Sequence, residues 1–444
     1  MTRLFFIGLI IFVTAFDASS GNFDSFGFKK SDFVRMTEKK TFFIDGLEGR
    51  QRKFEVLSSN VNNIGVLVRE AQEVGSPQNT AYIYSKGDSL EAYFYINGKE
   101  LFLDFDGKGR PSLTERETNS PAFVDDAIET LSSDVSYRNS TNEYSIASAG
   151  ISLDKVIRVL IVLSPQAEAE SWDVEPTISH WFSMANKAMS NNDRTDVILQ
   201  PAAIVTLTSY PTTLPNDMKA HLNWVKNNSG VGQIRSQHKA DLVSLVIANA
   251  QSASNSKVCG YGYINSNYGS GFTASKVSSG CGSLTFAHEI GHNLGAEHDP
   301  FILKGDTPAY SYGTGYVDSQ NSFVTVMGYN SPGSACEGCI RIPYFSSSIT
   351  TSEGLPIGVA GISENDRVIA NRAATVAGFA PKYTSDIPNL NDTPLYCRAR
   401  GQLAWNAISG ADSYKLYSSS YGTMIYPDVI YEGSSLSYSY NFPS

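Results

Sequence analysis

No cysteine precedes position 259, and all five lie between Cys259 and Cys397. The amino-terminal half therefore has no disulfide to staple it and must hold together through an apolar core. Basic runs are also missing. With 34 Lys and Arg against 44 Asp and Glu, the formal net charge is -10, and nothing in the chain would neutralise a row of phosphates. That argues against nucleic acid as a general partner. Long apolar runs are absent except for Leu4 to Phe16, which is too short for a comfortable bilayer span. Histidine is scarce, with six in 444 residues. Half of these fall within eleven positions, between His288 and His298.

A hydrophobic content of 41% and a charged content of 18% are those of a globular protein. At 444 residues the length suggests two to four domains. Met1-Thr2-Arg3, the apolar run and the small residues Ala18-Ser19-Ser20 have the layout of a secretory signal over residues 1–20. An uncleaved anchor is the alternative. Residues 21–150 alternate in strand fashion, clearest in Glu91 to Ile96 and Glu100 to Phe105, with the hairpin signal Asn97-Gly98 between them. From Arg116 to Gly150 the chain is rich in Ser, Thr and Asn, a linker composition open to proteases. A β-rich propeptide and an ordinary accessory β-domain are the two readings of 21–150.

At Val156 the pattern changes. Val156 to Leu163, Val197 to Leu207 and Asp241 to Ile247 read as strands. Residues 174–191 and Asp217 to Gln237 between them read as helices. This order implies a mainly parallel, twisted sheet with right-handed crossovers, the α/β class. Phe272 to Ser279 reads as an edge strand, and Glu364 to Ala380 as a final helix closing a domain over 151–383.

The chemistry concentrates in His288-Glu289-Ile290-Gly291-His292-Asn293-Leu294-Gly295-Ala296-Glu297-His298-Asp299. On a helix, His288 and His292 lie one turn apart on one face, so both imidazoles reach one metal at about 2.0–2.1 Å. Glu289, beside the first ligand, reaches a water and not the metal. Gly295 ends the helix, and His298 returns from another direction. Three imidazoles leave a fourth position open, the layout of a catalytic zinc site. The bland reading is a surface helix with three solvated histidines. Against it, Phe286, Ile290 and Leu294 form an apolar stripe that would bury the helix. Buried imidazoles with nothing bound would carry a desolvation cost.

The long motif followed by Val324-Thr325-Val326-Met327-Gly328-Tyr329 resembles the metzincin zinc peptidases, with Met327 as the Met-turn residue beneath the metal. Asp299 after the third histidine resembles the reprolysin (adamalysin) branch. Three further pieces resemble the bacterial peptidyl-Asp metalloendopeptidases. They are Cys259-Gly260-Tyr261-Gly262-Tyr263, the run Cys281 to Ala287, and Arg341-Ile342-Pro343-Tyr344-Phe345-Ser346. The likeness covers about residues 155–382. The chain departs from that group at Ser347-Ser348, where Asn-Pro is expected.

The resemblance implies a metzincin fold, one catalytic Zn2+ held by His288, His292 and His298, and Glu289 as general base. It further implies an edge strand that pairs with peptide substrates and a preference for acidic residues at the cleavage site, and the position of residues 21–150 suggests a propeptide and so a zymogen. Tyr329 is a candidate for transition-state support. Arg341 is a candidate for the substrate pocket or, equally, for bonding loop carbonyls. With no cysteine before 259, latency cannot use a thiolate on the zinc; an acidic residue such as Asp104 or Asp106 is a candidate for that place. No motif indicates Ca2+.

Cys259 with Cys281, and Cys336 with Cys339, are the expected disulfides. A zinc site at Cys336-x-x-Cys339 is the rival, without a second ligand pair at suitable spacing. Cys397 is left over, free or paired outside the chain. Residues 384–444, with Trp405 and Tyr414-Lys415-Leu416-Tyr417, resemble a partial fibronectin type III module. It would be a small all-β face for cell-surface or matrix contact.

Three functions compete. The first is a secreted, extracellular zinc endopeptidase (periplasmic in transit) acting on protein or peptide substrates, with no membrane contact after signal cleavage. The second is a catalytically silent surface-binding protein, and the third is a zinc hydrolase of non-peptide amides.

Overall fold

The computed structural model describes residues 29–47, 50–62, 64–105, 109–116, 124–126, 155–170, 173–207, 210–211, 214, 217–248, 258–277, 281–381, 400–404, 414–418, 428–435 and 437–441. Two compact units emerge: residues 1–59 with 68–116, and residues 60–67 with 117–444. The signal-like run, Asp106 and Cys397 lie outside the described residues.

The first unit opens with helix α1 (Lys30–Thr37) and continues as seven strands that lie in sequence order in one sheet. They are β1 (Thr41–Leu47), β2 (Arg50–Val61), β3 (Leu67–Glu73), β4 (Ser76–Lys86), β5 (Ser89–Ile96), β6 (Lys99–Phe105) and β7 (Pro111–Arg116). The expected β5–β6 hairpin is antiparallel, with Ile96 opposite Lys99. Asn97 and Gly98 both take positive φ, 51° and 78°, as a two-residue turn that follows the strand twist demands. One face of the sheet is apolar: Phe33, Phe42, Phe54, Phe94 and Leu101 form its core. Asp104 lies in β6.

The second unit is built on a six-stranded sheet. Its strands are β8 (Val124–Asp126), β9 (Val156–Leu163), β10 (Ile198–Thr206), β11 (Leu242–Ile247), β12 (Val258–Gly262) and β13 (Phe272–Lys276), in the spatial order β10-β9-β11-β13-β12-β8. β9 is an interior strand, parallel to β10 on one side and β11 on the other, which fits its nearly unbroken apolar sequence. The helices between are α2 (Pro165–Ala169), α3 (Val174–Asn191), α4 (Met218–Asn227) and α5 (Ser229–Gln237). The helical segment expected over Asp217 to Gln237 is two helices, because Asn228 interrupts it. The Asn228 side chain accepts from Val231 N at 3.0 Å and caps α5.

The edge-strand expectation needs correction. β13 is interior, parallel to β11 on one side and antiparallel to β12 on the other. β12 follows outside β13, and the short β8 ends the sheet, pairing in parallel with β12, Val124 opposite Val258 and Asp126 opposite Gly260. Val243, Leu245, Ile247, Tyr261 and Ala274 share one core with Leu222 and Val225 of α4 on one face of this sheet.

The active segment follows as α6 (Thr285–Asn293) and α7 (Pro300–Leu303). A small sheet joins β14 (Val317–Asp318), β15 (Phe323–Val324) and β16 (Ile340–Arg341), and a hairpin follows of β17 (Ser347–Ser352) and β18 (Leu355–Ile357). Helix α8 (Asn365–Val376) is the expected final helix, with Val368, Ile369, Ala373 and Val376 buried. Beyond it lie two two-stranded sheets, β19 (Arg400–Ala404) with β22 (Ser437–Asn441) and β20 (Tyr414–Ser418) with β21 (Asp428–Gly433). Nothing in these strands supports a fibronectin type III module. Among the described residues no helix is long and apolar enough to cross a membrane.

Candidate metal centre

Helix α6 is buried along its whole length. Phe286 stacks on α3, with ring centroids 4.8 Å from Phe182 and 6.2 Å from Trp181, and Ile290 and Leu294 are fully buried. The helix ends in a Schellman motif: Gly295 N donates to His292 O at 2.8 Å, and Ala296 N to Gly291 O at 2.9 Å. Gly295 holds φ +94°, and a Cβ there would stand 2.9 Å from Tyr310. The reversal sends Glu297 and His298 back across the helix.

His288, His292 and His298 are buried and offer ligand atoms within 4.8 Å of one another. Their outer nitrogens fix the tautomer of two rings. His288 Nδ1 lies 2.8 Å from Val326 O, and His292 Nδ1 lies 2.9 Å from Ala296 O. A carbonyl only accepts, so each Nδ1 carries the proton and each Nε2 presents a lone pair. His298 Nε2 stands 3.2 Å from His288 Nε2 and 3.1 Å from His292 Nε2. Tetrahedral ligands at about 2.0–2.1 Å from zinc are themselves about 3.3 Å apart. A buried set of neutral nitrogens at that separation fits a zinc ion.

Met327 is buried beneath the helix, its Sδ 2.7 Å from where a Cβ on Gly291 would be. The missing side chain at Gly291 thus lets the floor rise between the two ligands of α6. Val326, the residue before, supplies the carbonyl that orients His288. Asp299 ties the third ligand to the same turn: its Oδ2 accepts from Tyr329 N at 3.0 Å, while Oδ1 accepts from Phe301 N at 3.1 Å. Burial pushes the Asp299 carboxyl above the usual carboxylate range, and these backbone N–H groups oppose that shift. The Tyr329 ring stands 4.6 Å from that of His298. Arg341 Nη2 donates to Gly328 O at 2.9 Å, the loop-carbonyl contact, and burial lowers its pKa to about 10.

Glu289 is fully buried, and its carboxyl lies against β12 at Gly260 and Gly262. Cys259 is bonded to Cys281 and Cys336 to Cys339, with Cα atoms 5.5 Å and 5.6 Å apart. With Cys336 and Cys339 joined to each other, neither serves the rival zinc site. Sequence reasoning missed the Val326 carbonyl, the second role of Asp299 and the glycine contacts, which depend on backbone placement and leave no composition signal. It also missed His180 of α3, whose Nε2 meets Ser283 Oγ at 2.9 Å just before α6.

Residues 176–299 match the model of the metallo-peptidase family M12B, reprolysin-like. A peptidyl-Asp metalloendopeptidase of Xanthomonas campestris pv. campestris is 29% identical over 308 residues, 68% of this chain and 70% of that protein. Two proteins of the same name from Stenotrophomonas maltophilia are 30% and 26% identical, over 53% and 68% of this chain and 55% and 71% of theirs. The chain is related to these bacterial peptidases. The family match and the three-histidine cluster together support a zinc metalloendopeptidase and imply a zinc cofactor and protein or peptide substrates. Nothing supports Ca2+ or a fibronectin module.

Proposed function

We propose that this chain is an exported zinc endopeptidase, produced in latent form, that cuts proteins at acidic residues. The observation that carries the reading is the convergence of three buried Nε2 atoms beside a helix that also carries a buried carboxyl, Glu289. A zinc ion held by His288, His292 and His298 supplies Lewis-acid chemistry, acidifying water and polarising a carbonyl. Glu289 acts as the general base. Its carboxylate takes the proton of the attacking water as the C–O bond forms, then delivers it to the leaving amine nitrogen as the C–N bond breaks. The Val326 carbonyl orients the first ligand, Met327 floors the helix at Gly291, and the Tyr329 ring, edge-on to His298, steadies the third.

Latency draws support from the sheet edge. An extended peptide recognised by strand addition needs a free β12. Val124–Asp126 runs along that strand in parallel, so this chain's own segment occupies the place a substrate would take. The linker-like composition downstream offers a place for a maturing cut, and the apolar run Leu4 to Phe16 supports export.

The acidic preference rests on the relatives' name and on Arg341, a cation held beside the Met-turn. If Arg341 reads the substrate, Arg341→Ala broadens the cleavage-site profile determined by mass spectrometry of peptide products. An unchanged profile reduces Arg341 to a prop for the Gly328 carbonyl.

Glu289→Ala tests the central assignment. It retains zinc and loses peptidase activity on casein by several orders of magnitude. Activity at the parental level in a zinc-replete sample of that variant would falsify the assigned base.

A further inference from the structure

Strand β12 approaches the active helix so closely that a side chain at its helix-facing positions would meet atoms of Glu289. Its residues alternate: Tyr261 turns into the core on the α4 side, while Gly260 and Gly262 face α6. A Cβ on Gly260 would stand 2.2 Å from Glu289 Oε1, 2.6 Å from Cδ and 2.7 Å from Cγ. A Cβ on Gly262 would stand 3.0 Å from the Glu289 carbonyl oxygen, 3.1 Å from Oε2 and 3.4 Å from His292 Cβ. Neither glycine is among those with positive φ, so backbone conformation does not require them. Glycine weakens a strand, and two at alternate positions mark a close approach of another element.

The strand cannot back away to make room. At one end the Cys259–Cys281 disulfide ties it to the segment that enters α6. At the other, Asn293 Nδ2 donates to Tyr263 O at 2.8 Å, and Asn265 N donates to His292 O at 2.8 Å. The glycine stripe lies between these two clamps.

From this we infer that Gly260 is a positioning residue that fixes the Glu289 carboxyl beside the three histidines, and that Gly262 sets the spacing between β12 and α6. The two act differently. At Gly260 the obstructed atoms are the outer part of one side chain, which can swing aside. At Gly262 the nearest atom is helix backbone, which cannot. The inference rests on Glu289 as the base, and its test separates the two ideas.

Four full-length variants are compared for zinc content, melting temperature, kcat and KM: Gly260→Ala, Gly262→Ala, Glu289→Ala and Gly260→Ala/Glu289→Ala. Gly260→Ala is expected to keep stoichiometric zinc and a KM within about threefold, while kcat falls about 100-fold, the scale of a misplacement near 1 Å. Its melting-temperature loss shrinks in the Glu289→Ala background, where the obstructed carboxyl is gone. Gly262→Ala lowers the melting temperature in its own right. Parental kcat in Gly260→Ala, or an equal melting-temperature loss in both backgrounds, overturns the inference. An active Glu289→Ala variant defeats the base assignment instead, and the melting comparison still judges the steric claim.

Discussion

Asp299 shows how one carboxylate can bind two pieces of chain. One oxygen caps α7, and the other accepts the Tyr329 amide, linking the third ligand to the turn that carries Met327. Asp299→Asn keeps the cap but turns an amide nitrogen toward a backbone donor if the geometry holds. A buried donor left unpaired costs about 1–3 kcal/mol. Urea unfolding of the metal-free variant should show that loss, and an unchanged midpoint would mean that the Tyr329 amide finds another acceptor. The three clustered histidines, the buried Glu289 beside them in sequence and the glycine at the helix end were all legible in the sequence, because a helix repeat fixes which side chains share a face. The Val326 carbonyl and the hollows at Gly260 and Gly291 were not, since those contacts join segments far apart in the chain.

At the scale of elements, α6 depends on its ends. Gly295 sits where an L side chain is strained, and its reversal delivers His298 to the other two ligands. Gly295→Ala should cost roughly 1–2 kcal/mol or more and weaken zinc binding, read by competition with a chromogenic chelator. Unaltered zinc affinity would separate the helix end from the metal site. The disulfide at the other end closes a span of 22 residues. Replacing Cys259 and Cys281 by serine should lower stability by about 2–4 kcal/mol, measured by denaturant titration, and a loss near zero would contradict its role as a clamp. Sequence reading found β9, β11 and α3 readily because their apolar patterns are strong. It mistook β13 for the edge because β12, Val-Cys-Gly-Tyr-Gly, has two glycines in five residues and little strand character. The glycines that hid the strand are those that admit Glu289.

For the whole molecule, the β-rich character of the amino-terminal region and the α/β sheet were foreseeable from period-two alternation and from buried apolar runs respectively; the number of strands was not. The strand Val124–Asp126 was not, because three residues inside a polar stretch carry no pattern of their own. It pairs with β12, and the proposed latency predicts that the full-length chain is at least tenfold less active than one cut within residues 127–154; equal activity would contradict it. Zinc should also stabilise the fold by mass action. Chelation ought to lower the melting temperature and abolish peptidase activity, with both restored by zinc. The most direct measurement is zinc-edge X-ray absorption combined with elemental analysis of the purified protein. The account predicts one zinc per chain with three imidazole nitrogens at about 2.0–2.1 Å and loss of that signal in His298→Ala. A sulfur-ligated zinc, or no stoichiometric zinc at all, would contradict it.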